Sequence, residues 1–339
     1  MSKKVTMESI AKKLGITKNT VSLALRNMPG VSEETRRLVI KTAQQSGYEY
    51  KGSSSKKNNS KTKNICLMLS YDTRSSVDFF SFIQYGIESE AKKNNLNTIL
   101  YCFNEEKDFE IPLSIKDGII SGIITLGRLS EKTLKSIIDL NLPLVVIDHY
   151  FDHINVSYIL SDNVSGGYTA TEYLIKSGHR KIGFCGNVFS SSSFFDRYLG
   201  YLKALTQYKI PIDSLYSITN MSMAEISHHN VVIEKLKEIP TLPTAFFCCN
   251  DIEAITIIKA LSSMGIKIPE DISIIGFDDI ELSKNISPEL TTMHIHKELL
   301  GKKAVRKLIL QMTQKNYTKE KILLSANVVE RKSVKRIMT

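Results

Sequence analysis

"VTMESIAKKLGITKNTVSLALRN", residues 5 to 27, sets two apolar repeats of helical period on either side of one glycine. Ile10, Ala11 and Leu14 fall on one face, Thr6 stands where an N-cap belongs, and Gly15 ends the run. Thr17 then caps a second short helix in which Val21 and Leu25 are four residues apart on one face. Further on, "VSEETRRLVIKTAQQSGY" opens a third helix at Ser32. Glu33 and Glu34 suit its positive end, and Leu38, Val39 and Ala43 supply its packing stripe. The core of such a unit is very small. Its polar surface is gathered at the start of helix two, in Lys18, Asn19, Thr20 and Ser22.

Charge is gathered in the same region. Residues 1–63 hold 14 Lys/Arg against 4 Asp/Glu, whereas the remaining 276 residues hold 31 of each. The entire net charge of +10 therefore sits on one small N-terminal piece of a 339-residue chain. A polyanion-binding module joined to a neutral body concentrates charge in this way; a generally basic surface does not. An exposed second helix of a tightly coupled pair can enter the major groove of DNA. There Lys addresses guanine acceptors and Asn pairs with adenine.

With these residues in view, the segment resembles the start of the lactose- and purine-repressor family of bacterial transcriptional regulators, on "VTMESIAKKLGITKNTVSLAL" and "VSEETRRLVIKTAQQSGY". The resemblance implies a helix-turn-helix headpiece over residues 1–49. It places Lys18 and Asn19 as base readers, Thr20 and Ser22 at the phosphates or groove, and Thr6 near the DNA backbone, with Thr17 counted among the DNA-binding residues. Many relatives carry Arg where this chain has Leu23. Leucine cannot make the bidentate pair with guanine, so it is left to touch a thymine methyl or to cover sugar and backbone.

Residues 50–64 read "YKGSSSKKNNSKTKN", a composition of flexible linkers with no apolar side chain between Tyr50 and Ile65. Lys56 and Lys57, with Lys51, Lys61 and Lys63, favour phosphate contact by charge. The family's hinge helix and its leucine wedge have no counterpart here.

From residue 65 to 339 apolar strands such as "NICLMLS", "LPLVVIDHY" and "TAFFCCN" alternate with amphipathic helices, the pattern of parallel sheets covered on both faces. The expected architecture is a two-lobed α/β body like a periplasmic binding protein. Lobe one takes residues 65–161 plus 293–323, and lobe two takes 162–292 plus 324–339. Ligands bind beyond the carboxyl ends of such strands, which singles out Asp72, Asp148, Asp162, Arg197, Asn250 and Asp278 in the polar loops. Arg197 is expected to open the helix after "KIGFCG".

The resemblance resumes in these loops, through "SDNVSGGYTATEYLIKSGHRKIGF", "FFDRYLGYLKAL" and "NDIEAITIIKALSSMGIKIPEDISIIGFDD". It implies that Arg197, Asn250 and Asp278 contact an effector, that Phe79 lies near the pocket, and that Asp251 and Asp279 organise the loops. Carboxylates, amides and one guanidinium beside aromatic faces suit a hydroxyl-rich molecule such as a sugar.

Other classes fit poorly. There is no dinucleotide or Walker phosphate loop, no nucleophile elbow and no metal-ligand spacing among the seven histidines. The expectation is thus no enzyme, cofactor or metal. The five cysteines read as reduced thiols, and no apolar run reaches membrane-spanning length. The first ten residues lack a signal peptide's apolar core, which points to the cytoplasm and, when DNA-bound, the nucleoid. Two-fold symmetry is expected as well: a homodimer on a near-palindromic duplex, because one small headpiece reads few base pairs. Two alternatives remain at this point, control by a protein corepressor on the body, or a solute-binding module that does not bind DNA.

Overall fold

The computed structural model describes residues 5–25, 30–46, 48, 63–71, 73, 77–105, 107, 109–226, 228–314 and 316–337. The chain divides into a unit of residues 1–62 and a second of residues 63–339.

In the first unit, α1 (Met7–Leu14) begins with a capping box: Thr6 Oγ1 accepts from the Ser9 amide, and Ser9 Oγ accepts from the Thr6 amide. Gly15 closes the helix in the left-handed region at φ 63°. Thr17 Oγ1 accepts from the Thr20 amide at 3.1 Å, which starts α2 (Lys18–Leu25). Ser32 caps α3 (Glu33–Gln45) in the same manner. Ile10, Ala11, Val21, Ala24, Val39 and Ala43 form the core. Leu38, expected in this core, is instead 51% exposed. It neighbours Val39 in sequence, and one helix position of about 100° turns it away from the α1–α2 pair.

The second unit holds two parallel sheets. The first has the strand order β10-β5-β4-β3-β1-β2, from β1 (Lys63–Ser70), β2 (Leu96–Phe103), β3 (Ile120–Leu126), β4 (Leu144–Ile147), β5 (Ser157–Ser161) and β10 (Lys321–Leu324). The second is β6-β7-β8, from β6 (Ile182–Cys185), β7 (Ala245–Cys248) and β8 (Ser273–Ile275). All their pairings are parallel. Each sheet defines a lobe. In lobe one, α4 (Val77–Lys93) packs on α10 (Lys297–Thr313), and α5 (Glu131–Ile138) also belongs to this half. In lobe two the helix pairs are α6 (Asn163–Lys176) with α7 (Ser192–Gln207), and α8 (His229–Lys237) with α9 (Asp251–Ser263).

Two short antiparallel strands, β9 (Thr292–His294) and β11 (Asn327–Val329), lie where the chain changes lobe. Bridges from Thr291 to Ile275 and from His294 to Asp278 tie β9 to lobe two. The chain therefore crosses after His294, not after residue 292, and Leu324 stays in the first sheet. The body also starts two residues before the expected boundary, because Lys63 and Asn64 pair with Leu96 and Asn97 in β1. The rest of the expected linker lies outside the described residues. β5 has no counterpart among the strands expected from sequence, since its apolar run is only Tyr158-Ile159-Leu160 between two serines, all of them buried.

Candidate functional site

On the headpiece, Lys18 and Asn19 are exposed at the first turn of α2, and Thr20, Ser22 and Leu23 are half-buried. Asn19, Ser22 and Leu23 fall on one face, while Val21 and Ala24 turn into the core. Thr6 and Thr17 spend their hydroxyls on the caps of α1 and α2. Lys18 is not free: its Nζ lies 2.9 Å from Glu8 Oε1, with both side chains largely exposed. Lys56 and Lys57 lie outside the described residues.

On the body, the loops leaving β4, β7 and β8 converge on Arg197. This arginine does not open α7, as expected, but sits in its second turn behind the Ser191 cap. Two glycines bring it into place. A Cβ on Gly167 would lie 2.2 Å from the Arg197 carbonyl oxygen, and one on Gly200 would lie 2.2 Å from that of Val164. α6 and α7 thus meet backbone to backbone, and the guanidinium at 2% exposure reaches the start of α6.

Arg197 Nε donates to Asn163 Oδ1 at 2.9 Å, and Nη1 donates to the Cys249 carbonyl at 2.6 Å. Nη2 stands 3.1 Å from Asp278 Oδ1, an ion-pair distance at which the hydrogen-bond angle is not met. The Phe277 ring lies under the guanidinium, 3.9 Å from carbon to centroid. Asp148 and Asp278 hold φ angles of 64° and 109°. Side-chain-bearing residues take such angles where the surroundings impose them, often at functional sites. Among the described residues, Asp148 Oδ1 is a buried acceptor without a hydrogen-bond donor, and the buried Asp278 Oδ1 has the Arg197 ion pair in place of one.

Acids dominate the electrostatics. Burial pushes the Asp148 carboxyl up to about 7, with Arg197 opposing and Asp278 adding to the rise. Burial, then the charge of Asp278, pushes Asp251 up to about 8. Glu253 is pushed up to about 7 by burial, against a hydrogen bond from Cys249. Burial also raises Asp278 itself. The unpartnered Asp148 oxygen is an acceptor, so the cleft best receives a molecule that brings hydrogen-bond donors.

Other expected residues have different tasks. Asp162 Oδ1 accepts from the Ser165 amide as the cap of α6, and Asn250 Oδ1 accepts from the Glu253 amide as the cap of α9. Asn250 still adjoins Cys249, whose carbonyl holds Arg197. Phe79 is buried in α4, edge-to-face with Phe80. Asp72 lies outside the described residues. Asp251 accepts from Thr292 Oγ1 and the Ile280 amide, and Asp279 from Arg331 and His294. Asn163 and Phe277 lie within the candidate loops read from sequence, "SDNVSGG" and "FDD", which assigned neither a contact with Arg197; Glu253 was not singled out.

Comparison with known proteins bears on the family of the chain. Residues 6–50 match the lacI family of bacterial regulatory proteins, and residues 171–334 match the periplasmic binding protein-like domain. The chain is similar to the probable HTH-type transcriptional repressor ExuR of Bacillus subtilis (strain 168). The two are 32% identical over 337 residues, covering 99% of this chain and 100% of the relative. It is similar to the HTH-type transcriptional repressor PurR of Pasteurella multocida (strain Pm70), at 30% over 336 residues, 97% of this chain and 98% of that one. A LacI family regulator from Enterococcus faecium, crystallised with bound ribose, superposes with a TM-score of 0.69 at 25% identity, covering 81% of this chain and 100% of that chain. Headpiece, two-lobed body and full-length likeness agree: the chain belongs to the lacI family, and is a DNA-binding transcriptional regulator and not an enzyme.

Proposed function

We propose that the chain is a repressor that binds a near-palindromic operator as a homodimer in the cytoplasm. A hydroxyl-rich small molecule in the interlobe cleft, most simply a sugar, sets its operator affinity. The observation that carries the effector reading is the trio of Arg197, Asp148 and Asp278: an anchored guanidinium ion-paired with Asp278, beside the Asp148 carboxyl whose buried Oδ1 has no hydrogen-bond donor among the described residues. Sugar hydroxyls supply donors to both carboxyls and accept from the guanidinium N–H groups that remain. The relatives' names as repressors and the ribose in the Enterococcus faecium structure point the same way.

On DNA, Asn19 and Lys18 read bases from the exposed start of α2, and the lysine-rich linker tracks phosphates. Duplexes selected from a random pool by the full-length protein test the first part. Asn19→Ala should lose about 1–3 kcal/mol of discrimination at one position in each half-site. Equal losses on selected and random duplexes would show that Asn19 reads no base. A thermal-shift survey of monosaccharides tests the second part, since a ligand bound only by the folded state raises Tm. Stabilisation that survives Arg197→Ala would place the ligand elsewhere.

A further inference from the structure

Lys297 is the first residue of α10, in lobe one, and is only 7% exposed. Its Nζ donates to the main-chain carbonyls of Asp278 at 2.5 Å and Asp279 at 3.0 Å, both of which follow β8 in lobe two. These residues have successive positive φ angles, 109° and 52°. Two left-handed residues in a row are held only by their surroundings, and here both carbonyls are brought to one ammonium.

The other charged groups near the turn face elsewhere: Asp278 pairs with Arg197 and Lys284 with Glu281. The Asp279 carboxylate binds Arg331 and His294, and Asp251 binds Thr292 and the Ile280 amide. The Phe79 ring of α4 lies 5.9 Å from Nζ. Burying an ammonium is costly unless its donors are used, and the hydrogen bonds that Lys297 makes go to this turn.

We propose that Lys297 is a positioning residue, which clamps the turn carrying Asp278 to the first turn of α10. A change in what Asp278 binds in the cleft is thereby passed into lobe one. This inference rests on the cleft as the effector site.

The route beyond Lys297 is stiff. A Cβ on Gly301 of α10 would lie 2.2 Å from the Ile83 carbonyl oxygen, and one on Gly86 of α4 would lie 2.2 Å from that of Glu298. The two helices touch through their backbones, so no flexible side chain absorbs a shift of α10 before it reaches α4. Lobe one begins with β1 at Lys63, directly after the linker from the headpiece.

Hydrogen–deuterium exchange on the full-length protein tests the clamp without effector or DNA. Asp278→Asn removes the charge facing Arg197. It should speed exchange about tenfold or more at residues 276–281 and also in the first turn of α10, with a smaller rise near Gly86. In a Lys297→Met background the effect of Asp278→Asn should stop within lobe two. Lys297→Gln, with a shorter neutral donor, should cut the spread partway and serves in place of the Met variant if that fails to fold. A spread into α10 that is undiminished in these backgrounds overturns the proposal. So does an Asp278→Asn effect that never leaves lobe two in the parent chain. Neither result depends on the sugar survey, which tests the effector site separately.

Discussion

Tyr150 Oη donates to Asp196 Oδ1 at 2.8 Å, and this bond joins lobe one to lobe two one residue before Arg197. Tyr150 leaves the loop after β4, whereas Asp196 lies in α7. Two neighbouring contacts cross at the same place: the Tyr150 amide donates to Ser192 Oγ at 3.3 Å, and Ser192 Oγ meets His149 Nδ1 at 3.2 Å. The cleft is thus closed by polar contacts at the side where α7 begins. A double-mutant cycle of Tyr150→Phe with Asp196→Ala should return a coupling of about 1 kcal/mol in denaturant unfolding. Zero coupling would mean that the lobes do not meet here in solution.

Arg197 compensates the buried carboxyl group of Asp278. Arg197→Met leaves Asn163 Oδ1, the Cys249 carbonyl and Asp278 without their partner. Loss of one member of a buried pair costs about 3–5 kcal/mol. Pairing it with Asp278→Asn should recover part of the loss, because a neutral amide needs no counter-charge. If the double variant is as unstable as the sum of the two single variants, the ion pair is not what Arg197 stabilises.

The raised carboxyls make stability depend on pH in a defined direction. Asp148, Asp251 and Glu253 reach about 7, 8 and 7 in the folded protein, above their ordinary range. Groups raised on folding favour the native state at low pH, and that help is lost as pH rises through the folded values. Burial holds His149 and His179 down at about 4, so protonation of the unfolded state opposes the trend below about pH 6.5. The window in which these carboxyls dominate is therefore from about pH 6.5 to about pH 8, below the titration of thiols and of the buried Lys297, and across it Tm should fall. Asp148→Asn should flatten the slope. A Tm that rises through this window would contradict the burial of these carboxyls.

Much of this was legible in the sequence because it is local. Thr6, Gly15 and Thr17 declare helix ends by chemistry that acts within three or four residues, and the caps stand where the spacing puts them. Arg197, Asp148 and Asp278 come together because each lies beyond the carboxyl end of a parallel strand, where the topology collects loops. Pairings set by distant packing were not visible. Lys297 lies 18 or more residues from the carbonyls it holds, and Asn163 lies 34 from Arg197. Leu38 and Val39 are both apolar, and only the placement of α1 and α2 decides which one is buried.

The ion pair between Glu8 and Lys18 was equally invisible, since it links two helices across the turn. With both groups exposed, it adds little to stability, but it bears on the DNA contact proposed for Lys18. Glu8 holds the ammonium expected to reach a base or phosphate, and it also adds a negative charge beside it. Glu8→Gln should leave the melting temperature of the headpiece nearly unchanged while tightening binding to duplex DNA at low salt. The plot of log affinity against log salt should steepen by up to about 0.9 if Lys18 gains one full phosphate contact. A gain equal on selected and random duplexes would identify Lys18 as a phosphate contact. A larger gain on the selected duplex would identify it as a base reader. Lys18→Ala in the Glu8→Gln background should remove most of the gain. If affinity is unchanged by Glu8→Gln at every salt concentration, Lys18 does not approach the DNA and the start of α2 is not the reading edge.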